Sequence, residues 1–149
     1  MPGAFLDPPA PGPDTGLQVL VVDDEPDVAR EVADGLADEG YACLVVHSGQ
    51  DALLLLQGGA EAIGAVLTDV RMPGLDGFAL ARAVQDQFMG RRAVEVLLMT
   101  GHADRSAARA AGLDESAPVV LKPFRWDELT GALAGAMARA SARRAAAAA

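Results

Sequence analysis

The sequence predicts a doubly wound α/β fold built on a five-stranded parallel sheet. Five short apolar runs recur along the chain, with helical stretches between and after them. Most of the runs are rich in Val and Leu and do not alternate with polar residues, which is typical of strands buried on both faces. Strands that alternate with single helices join through right-handed crossovers into a parallel sheet. The five runs are 19–22, 43–46, 65–68, 94–99 and 118–121.

The first two helical stretches carry recognisable ends. The stretch after the first run has Pro26 near its start and Gly40 at its end, with one apolar stripe between them. The second opens with Ser48, and Asp51 follows three residues later, as in a capping box. Both stretches therefore predict helices that cover the sheet.

The three later helical stretches differ in how well they are anchored. Residues 76–88 and 126–140 place large apolar side chains at four-residue spacing. Residues 103–113 offer little beyond alanine and Leu113 for burial. We therefore expect that segment to have low local stability and to be the element that moves.

The 149 residues are predicted to hold one domain with a tail on each side. Residues 1–16 contain five prolines and three glycines, and we expect a disordered or extended arm. Residues 17–140 carry the repeating strand and helix pattern of the domain. Residues 141–149 form an alanine-rich tail with no core-forming pattern of its own.

Charge and cysteine content narrow the function classes. A net charge of −9 argues against nonspecific nucleic-acid binding, which needs a cationic surface. The single cysteine, Cys43, allows no intramolecular disulfide and favours a reducing compartment. The chain has no apolar run of about 18 residues and no basic-then-apolar leader, so we expect a cytoplasmic protein without membrane insertion.

Polar side chains follow four of the predicted strands. Asp23 and Asp24 follow the first run, Asp69 the third, Thr100 the fourth and Lys122 the fifth. Each type has an ordinary explanation, since acids favour a helix N-terminus, threonine caps helices and lysine extends into water. The carboxyl ends of parallel strands share one edge, however, and sites of doubly wound sheets lie at this edge. We therefore expect all five side chains to meet there.

Three clustered carboxylates need a counter-charge, because like charges 4 Å apart repel by roughly 4 kcal/mol at an effective dielectric of 20. Lys122 supplies one positive charge, and Mg²⁺, a hard cation with oxygen ligands, suits the rest. Neither His47 nor His102 has a metal-ligand spacing, so zinc is not expected. A carboxylate beside Mg²⁺ and an ammonium is a suitable nucleophile for a phosphoryl group. Asp69 is the candidate nucleophile, and the Thr100 hydroxyl could hydrogen-bond one phosphoryl oxygen.

Four motifs resemble the receiver domain of two-component response regulators. They are VLVVDDEP, LTDVRMPGLDGF, LLMTGHAD and VVLKPF, in the order the family has them, and the resemblance covers about residues 17–138. It implies a flavodoxin-like (βα)5 receiver fold. It also implies that an aspartate accepts a phosphoryl group from the phosphohistidine of a partner kinase, in a reaction that requires Mg²⁺.

The resemblance implies a role for each matching acid. Asp69 would be modified to 4-aspartylphosphate and would also bind the metal. Asp24 would bind Mg²⁺ directly and Asp23 through water. The backbone carbonyl of Arg71 would complete the protein ligands.

Thr100 and Lys122 would bind the phosphoryl group, the first as a switch hydroxyl and the second as an ammonium. One position departs from the family pattern, because Val119 stands where an aromatic residue is common, three residues before the lysine. A valine has no ring to rotate inward. Residues 103–112 would therefore have to carry the conformational change.

The predicted receiver domain takes up nearly all of the 149 residues, so we expect a single-domain response regulator, a signalling protein rather than a metabolic enzyme. Its expected partners are a sensor histidine kinase or a histidine phosphotransfer protein, and a downstream protein target. Signalling would use phosphorylation-dependent binding or a phosphorelay, without direct contact to nucleic acid. Pairing of two copies through their last helices is a further expectation for this family.

Three alternatives stay open. A degenerate receiver would keep the fold without phosphorylation, although the complete set of acids, Thr100 and Lys122 argues against it. A haloacid dehalogenase-type phosphatase normally has a second Asp two residues after its nucleophile, where this chain has Arg71. A flavodoxin-like cofactor binder needs a phosphate-cradling loop, whereas DDEPD after the first strand would repel phosphate.

Overall fold

The fold is that of a computed structural model, which describes residues 17–59, 62–88, 94–100, 119–121 and 125–148. Its elements in chain order are β1 Gln18–Val22, α1 Pro26–Asp38, β2 Cys43–Val46, α2 Gly49–Gln57, β3 Ile63–Asp69, α3 Gly77–Phe88, β4 Glu95–Thr100, β5 Val119–Leu121 and α4 Trp126–Ala148. The five strands form one parallel sheet in the order β2-β1-β3-β4-β5. The predicted doubly wound α/β architecture is confirmed.

Helices cover both faces of the sheet, so each strand contributes to two cores. Leu20 and Val22 of β1 pack in a cluster with α2 and α3. Val19 and Val21 pack on the opposite face with α1 and α4. All four side chains are fully buried, which explains why the strand runs are apolar without alternation.

The strands β1 and β3 lie in the middle of the sheet and end at the same level. Val22 of β1 lies beside Val46 of β2 and beside Thr68 of β3. Asp69, the next residue of β3, lies beside Met99 of β4. This register brings the residues that follow β1 and those that end β3 to one edge of the sheet.

The predicted ends of α1 and α2 are confirmed. Pro26 is the first residue of α1, and Gly40 follows the end of the helix with a φ of 97°, a conformation that favours glycine. The Ser48 hydroxyl accepts a hydrogen bond from the Asp51 N–H at 3.0 Å and caps α2. The two later helices predicted from four-residue apolar spacing also form.

The last helix, α4, continues past residue 140 into the segment predicted to be an alanine-rich tail. Nε of Arg139 lies 3.0 Å from Oε1 of Glu95, and Arg143 pairs with the other oxygen of the same carboxylate. Nη2 of Arg144 donates to the Ile63 carbonyl at 2.6 Å. Because these contacts attach the helix to the amino ends of β3 and β4, its final turns are held against the sheet.

Three predicted features lie outside the described residues and stay predictions. They are the arm over residues 1–16, the helical stretch over residues 103–113 and the position of Lys122. Within the described part of the chain, no helix combines the length and the apolar character that a bilayer span needs.

Candidate functional site

Three carboxylates meet at the carboxyl edge of the sheet. One oxygen each of Asp23, Asp24 and Asp69 lies within 4.8 Å of the others. They meet because β1 and β3 are adjacent parallel strands, with Asp69 ending β3 and the other two acids following β1. Asp23 is 1% exposed, whereas Asp24 and Asp69 are partly exposed. The cluster is therefore reached from solvent through the latter two acids.

Asp23 is held by hydrogen bonds to its backbone and to its side chain. Its N–H donates to the Val46 carbonyl at 3.2 Å, and its Oδ1 accepts from the Glu25 N–H at 3.0 Å. Nδ1 of His47 lies 3.1 Å from the Asp23 carbonyl oxygen. The end of β2 therefore binds the segment that carries the first two acids.

Asp69 is oriented by its own strand end. Its Oδ1 accepts a hydrogen bond from the Val70 N–H at 3.0 Å, and that N–H also lies 3.2 Å from the Met99 carbonyl oxygen. The buried Thr68 donates its hydroxyl to the Asp69 carbonyl at 2.9 Å. These bonds tie the direction of the carboxylate to the positions of β3 and β4.

The chain returns to Asp69 at Gly77, the first residue of α3. The Gly77 N–H donates to the Val70 carbonyl at 2.8 Å. A Cβ atom at position 77 would lie 2.4 Å from the Asp69 carbonyl oxygen and 2.8 Å from Val70 Cα, both of which are backbone atoms. Glycine therefore permits a close approach that keeps the loop before α3 next to the acids.

This loop borders an open cavity of about 470 Å³, whose lining residues follow Asp69 directly in the sequence. The exposed side chain of Arg71 lines the cavity, together with Met72 and Pro73. Oδ1 of Asp76 accepts from the Ala79 N–H at 2.8 Å and closes the loop onto the first turn of α3. The structure thus places Arg71 at this cavity, and the role of its backbone carbonyl as a metal ligand stays a prediction.

Thr100 brings a hydroxyl to the same edge of the sheet. It ends β4 and is 2% exposed. In the parallel register it lies opposite Leu121 of β5, and Lys122 is the next residue of the chain but lies outside the described residues. Four of the five predicted strand-end side chains therefore share this edge in the described structure, and the position of the lysine stays a prediction.

The charge of the cluster favours a hard cation. Two carboxylates 4.8 Å apart repel by roughly 3 kcal/mol at an effective dielectric of 20. Mg²⁺ prefers oxygen donors such as carboxylates, and three carboxylate oxygens lie close together here. Among the described residues no histidine or cysteine joins the cluster, so its donor atoms are all oxygens.

A protein-family model described as the response regulator receiver domain matches residues 19–134, which include all three acids and Thr100. The chain belongs to this family. Receiver domains act in two-component signalling, bind Mg²⁺ at an acidic pocket and interact with histidine kinases or phosphotransfer proteins. Membership decides against the haloacid dehalogenase-type phosphatase and the flavodoxin-like cofactor binder.

Known receiver proteins resemble the chain in sequence and in fold. The transcriptional regulatory protein TcrA of Mycobacterium tuberculosis strain ATCC 25618 / H37Rv is 38% identical over 118 residues, which are 77% of this chain and 44% of TcrA. The chain thus spans less than half the length of this curated relative. A receiver domain protein from Clostridium thermocellum superposes with a TM-score of 0.74 at 27% identity, over 83% of this chain and 95% of that chain.

A second solved structure is that of a response regulator with a bound ion complex. The response regulator TrrA of Thermotoga maritima, solved in complex with Mg(2+)-BeF, is 27% identical with a TM-score of 0.68. The similarity covers 80% of this chain and 98% of that chain.

Two parts of this receiver site, His47 and Gly77, were not predicted from the sequence. His47 has no metal-ligand spacing, but its position directly after the second apolar run already places it at the edge where the acids meet. Gly77 follows an acid at the start of a helix, and its sequence context carries no sign that another backbone segment approaches so closely.

Proposed function

We propose that this receiver domain accepts a phosphoryl group on Asp69 from the phosphohistidine of a sensor histidine kinase or a histidine phosphotransfer protein. The main support is the convergence of Asp69 with Asp23 and Asp24 within 4.8 Å, at the carboxyl edge of a receiver fold. Asp69 is also partly exposed and oriented by the Val70 N–H. It is therefore the acid best placed to act as a nucleophile.

The same edge would hold Mg²⁺. Asp24 and Asp69 bind it directly, and Asp23 binds it through a water molecule. The backbone carbonyl of Arg71 is the remaining protein ligand. When bound, the ion neutralises charge on the phosphoryl oxygens. The Mg(2+)-BeF complex of the related TrrA supports the choice of ion.

In the transfer, a carboxylate oxygen of Asp69 forms a bond to phosphorus. The bond from phosphorus to the donor's imidazole nitrogen breaks, and its electron pair stays on that nitrogen. The Thr100 hydroxyl donates a hydrogen bond to one phosphoryl oxygen, and the Lys122 ammonium pairs with another. Residues 103–112, which follow Thr100 in the chain, would then carry the conformational change that the sequence predicts.

The output is phosphorylation-dependent binding of a protein target, or onward transfer in a phosphorelay. We assign this activity to residues 17–140, in the cytoplasm, with pairing of two copies through the last helix. A net charge of −9 supports a protein target rather than nucleic acid. The chemistry of the chain is then limited to its own phosphorylation and dephosphorylation.

Labelling with acetyl phosphate tests the acceptor. With Mg²⁺ present, the wild-type protein should gain one phosphoryl group by intact mass spectrometry, whereas Asp69→Ala should gain none because the nucleophile is absent. Asp86→Ala is the matched control, since Asp86 is an exposed acid on α3 and its loss should leave labelling unchanged. Undiminished labelling of Asp69→Ala would refute the assignment, and labelling that persists in EDTA would refute the metal requirement.

A further inference from the structure

The side chain of His47 makes a contact that the proposed chemistry does not use. The residue follows the last residue of β2 and is exposed. Its Nδ1 lies 3.1 Å from the backbone carbonyl oxygen of Asp23. A carbonyl oxygen has no proton and only accepts, so this contact is a hydrogen bond only when Nδ1 carries the hydrogen.

The carbonyl that His47 meets belongs to the peptide unit that joins Asp23 to Asp24. On the other side of Asp23, its N–H donates to the Val46 carbonyl at 3.2 Å. Two consecutive residues at the end of β2 therefore hold the peptide units before and after Asp23. Because the plane of the second peptide unit sets the direction in which the Asp24 side chain leaves the backbone, the His47 ring acts on both acids.

Beyond the end of the sheet, the backbone of β2 does not continue the ladder of hydrogen bonds to this peptide unit. The next rung of this parallel ladder would pair Asp23 with His47 and use the amide of Ser48, but the pairing ends at Val22 and Val46, and Ser48 is already the N-cap of α2. On the other chain segment, Glu25 is the residue before α1. The two strands therefore diverge at this level, and a ring nitrogen supplies the donor there.

We propose that His47 is a positioning residue of the acid site: its Nδ1–H holds the Asp23–Asp24 peptide unit in the orientation that lets both carboxylates converge with Asp69. The inference rests on the proposed function for the identity of the ion, Mg²⁺. His47 itself is not a ligand, because the contact uses its Nδ1 and the three acids alone form the cluster among the described residues.

Three substitutions separate the hydrogen bond from the bulk of the ring. His47→Phe keeps a ring and removes the donor. His47→Asn places an amide nitrogen on Cγ, the atom that carries Nδ1 in histidine, whereas His47→Gln places it one bond further out. Titration of the full chain with MgCl₂ by calorimetry should give about 10-fold weaker binding for the Phe and Gln variants, the lower end of the range for outer-shell changes. The Asn variant should stay within about threefold of wild type.

Leu54→Ala is the control, since Leu54 is 65% exposed on α2 and its loss should not change Mg²⁺ affinity. A second readout needs no metal: ¹⁵N shifts of the His47 ring should show a proton on Nδ1. Equal Mg²⁺ affinity of all three His47 variants and wild type would overturn the proposal, and so would a proton on Nε2 alone.

The outcomes also separate this inference from the proposed function. A wild-type protein that binds Mg²⁺ but takes no phosphoryl group on Asp69 would contradict the function, and the His47 series would still test the positioning. If Asp69 is labelled while the His47 variants bind Mg²⁺ like wild type, the function stands and the positioning role fails. A wild-type protein that binds no Mg²⁺ would overturn both.

Discussion

The acid cluster depends on residues that carry no charge. Gly77 lets the backbone of α3 approach Asp69, and the buried Thr68 hydroxyl fixes the Asp69 carbonyl. Both residues act on the backbone of the strand end rather than on the carboxylate. Small changes at these positions should therefore displace the acids without removing any of them.

Gly77→Ala should lower the free energy of unfolding by about 1–3 kcal/mol, the usual range for overpacking. The new methyl group would lie 2.4 Å from the Asp69 carbonyl oxygen, which cannot move away without distorting β3. Urea denaturation measures the change. Gly131→Ala is the control, because Gly131 lies in α4 and, among the described residues and apart from its chain neighbours and its own helix backbone, no atom lies within 4 Å of the added carbon. Alanine there should add up to about 1 kcal/mol of helix stability. Equal effects of the two variants would contradict the close approach.

The reactivity of the Cys43 thiol, at the start of β2, measures how well this strand is shielded from solvent. Burial raises the pKa of its thiol from 9.0 to about 11. Because the thiolate is the nucleophile, iodoacetamide at pH 8 should alkylate the folded protein roughly 100-fold more slowly than the urea-unfolded chain. The rate for the folded protein should rise until about pH 11, and a rate that levels off near pH 9 would contradict the burial.

The raised pKa of Cys43 also determines how the free energy of unfolding depends on pH. The folded protein holds the thiol proton more tightly than the unfolded chain does. The contribution of Cys43 to stability is therefore complete below pH 9 and is lost as the pH rises through 11. The control is Cys43→Ser, in which this part of the alkaline dependence of the free energy of unfolding should be absent.

Among the elements, α4 is attached to the rest of the molecule at both of its ends. At its start, the Trp126 ring occupies the space over Gly35 of α1, where a Cβ atom would lie 2.3 Å from Trp126 Cη2. Near its other end, Arg139 and Arg143 pair with Glu95 at the amino end of β4. The helix therefore packs along the whole height of the sheet.

Glu95→Ala should release the second half of α4. The Glu95 side chain is 10% exposed and accepts from both arginines, so its loss should lower the free energy of unfolding by about 2 kcal/mol. The arginine side chains are about half exposed and stay hydrated, which keeps the cost below that of breaking a fully buried pair. Hydrogen exchange should become faster in the last turns of α4 and stay unchanged in β1.

Arg125→Ala is the control for this ion pair. Arg125 pairs with Asp127 across exposed side chains, so its loss should cost less than about 1 kcal/mol. If the two variants proved equally stable, or if exchange in α4 were unaltered in Glu95→Ala, the contacts of Glu95 would not hold the helix.

For the molecule as a whole, the fold could be predicted because burial on both faces of a sheet leaves a pattern in the sequence. The first and last residues of the strands were harder to predict. The third strand was predicted to begin at residue 65, because Gly64 interrupts the apolar pattern in the sequence. In the structure it begins at Ile63. In the fold, the Leu17 side chain fills the space beside Gly64, where a Cβ atom would lie 2.5 Å from Leu17 Cδ1.

The acids and Thr100 could be predicted because their position at strand ends is visible in the chain. His47 and Gly35 could not, since each acts through a contact with an atom far away in sequence, a carbonyl oxygen in one case and an indole ring in the other. Such contacts leave no periodic pattern. They follow from how neighbouring elements pack.

The central position of β1 and β3 has a consequence for ion capture. Each of these strands has a neighbour on both sides, so neither can splay outward to relieve the repulsion among the acids. The three carboxylates are thus preorganised, and under the proposed function little conformational ordering would have to accompany the binding of a cation. The speed of capture should then be limited by how readily Mg²⁺ sheds its hydration water rather than by rearrangement of the protein.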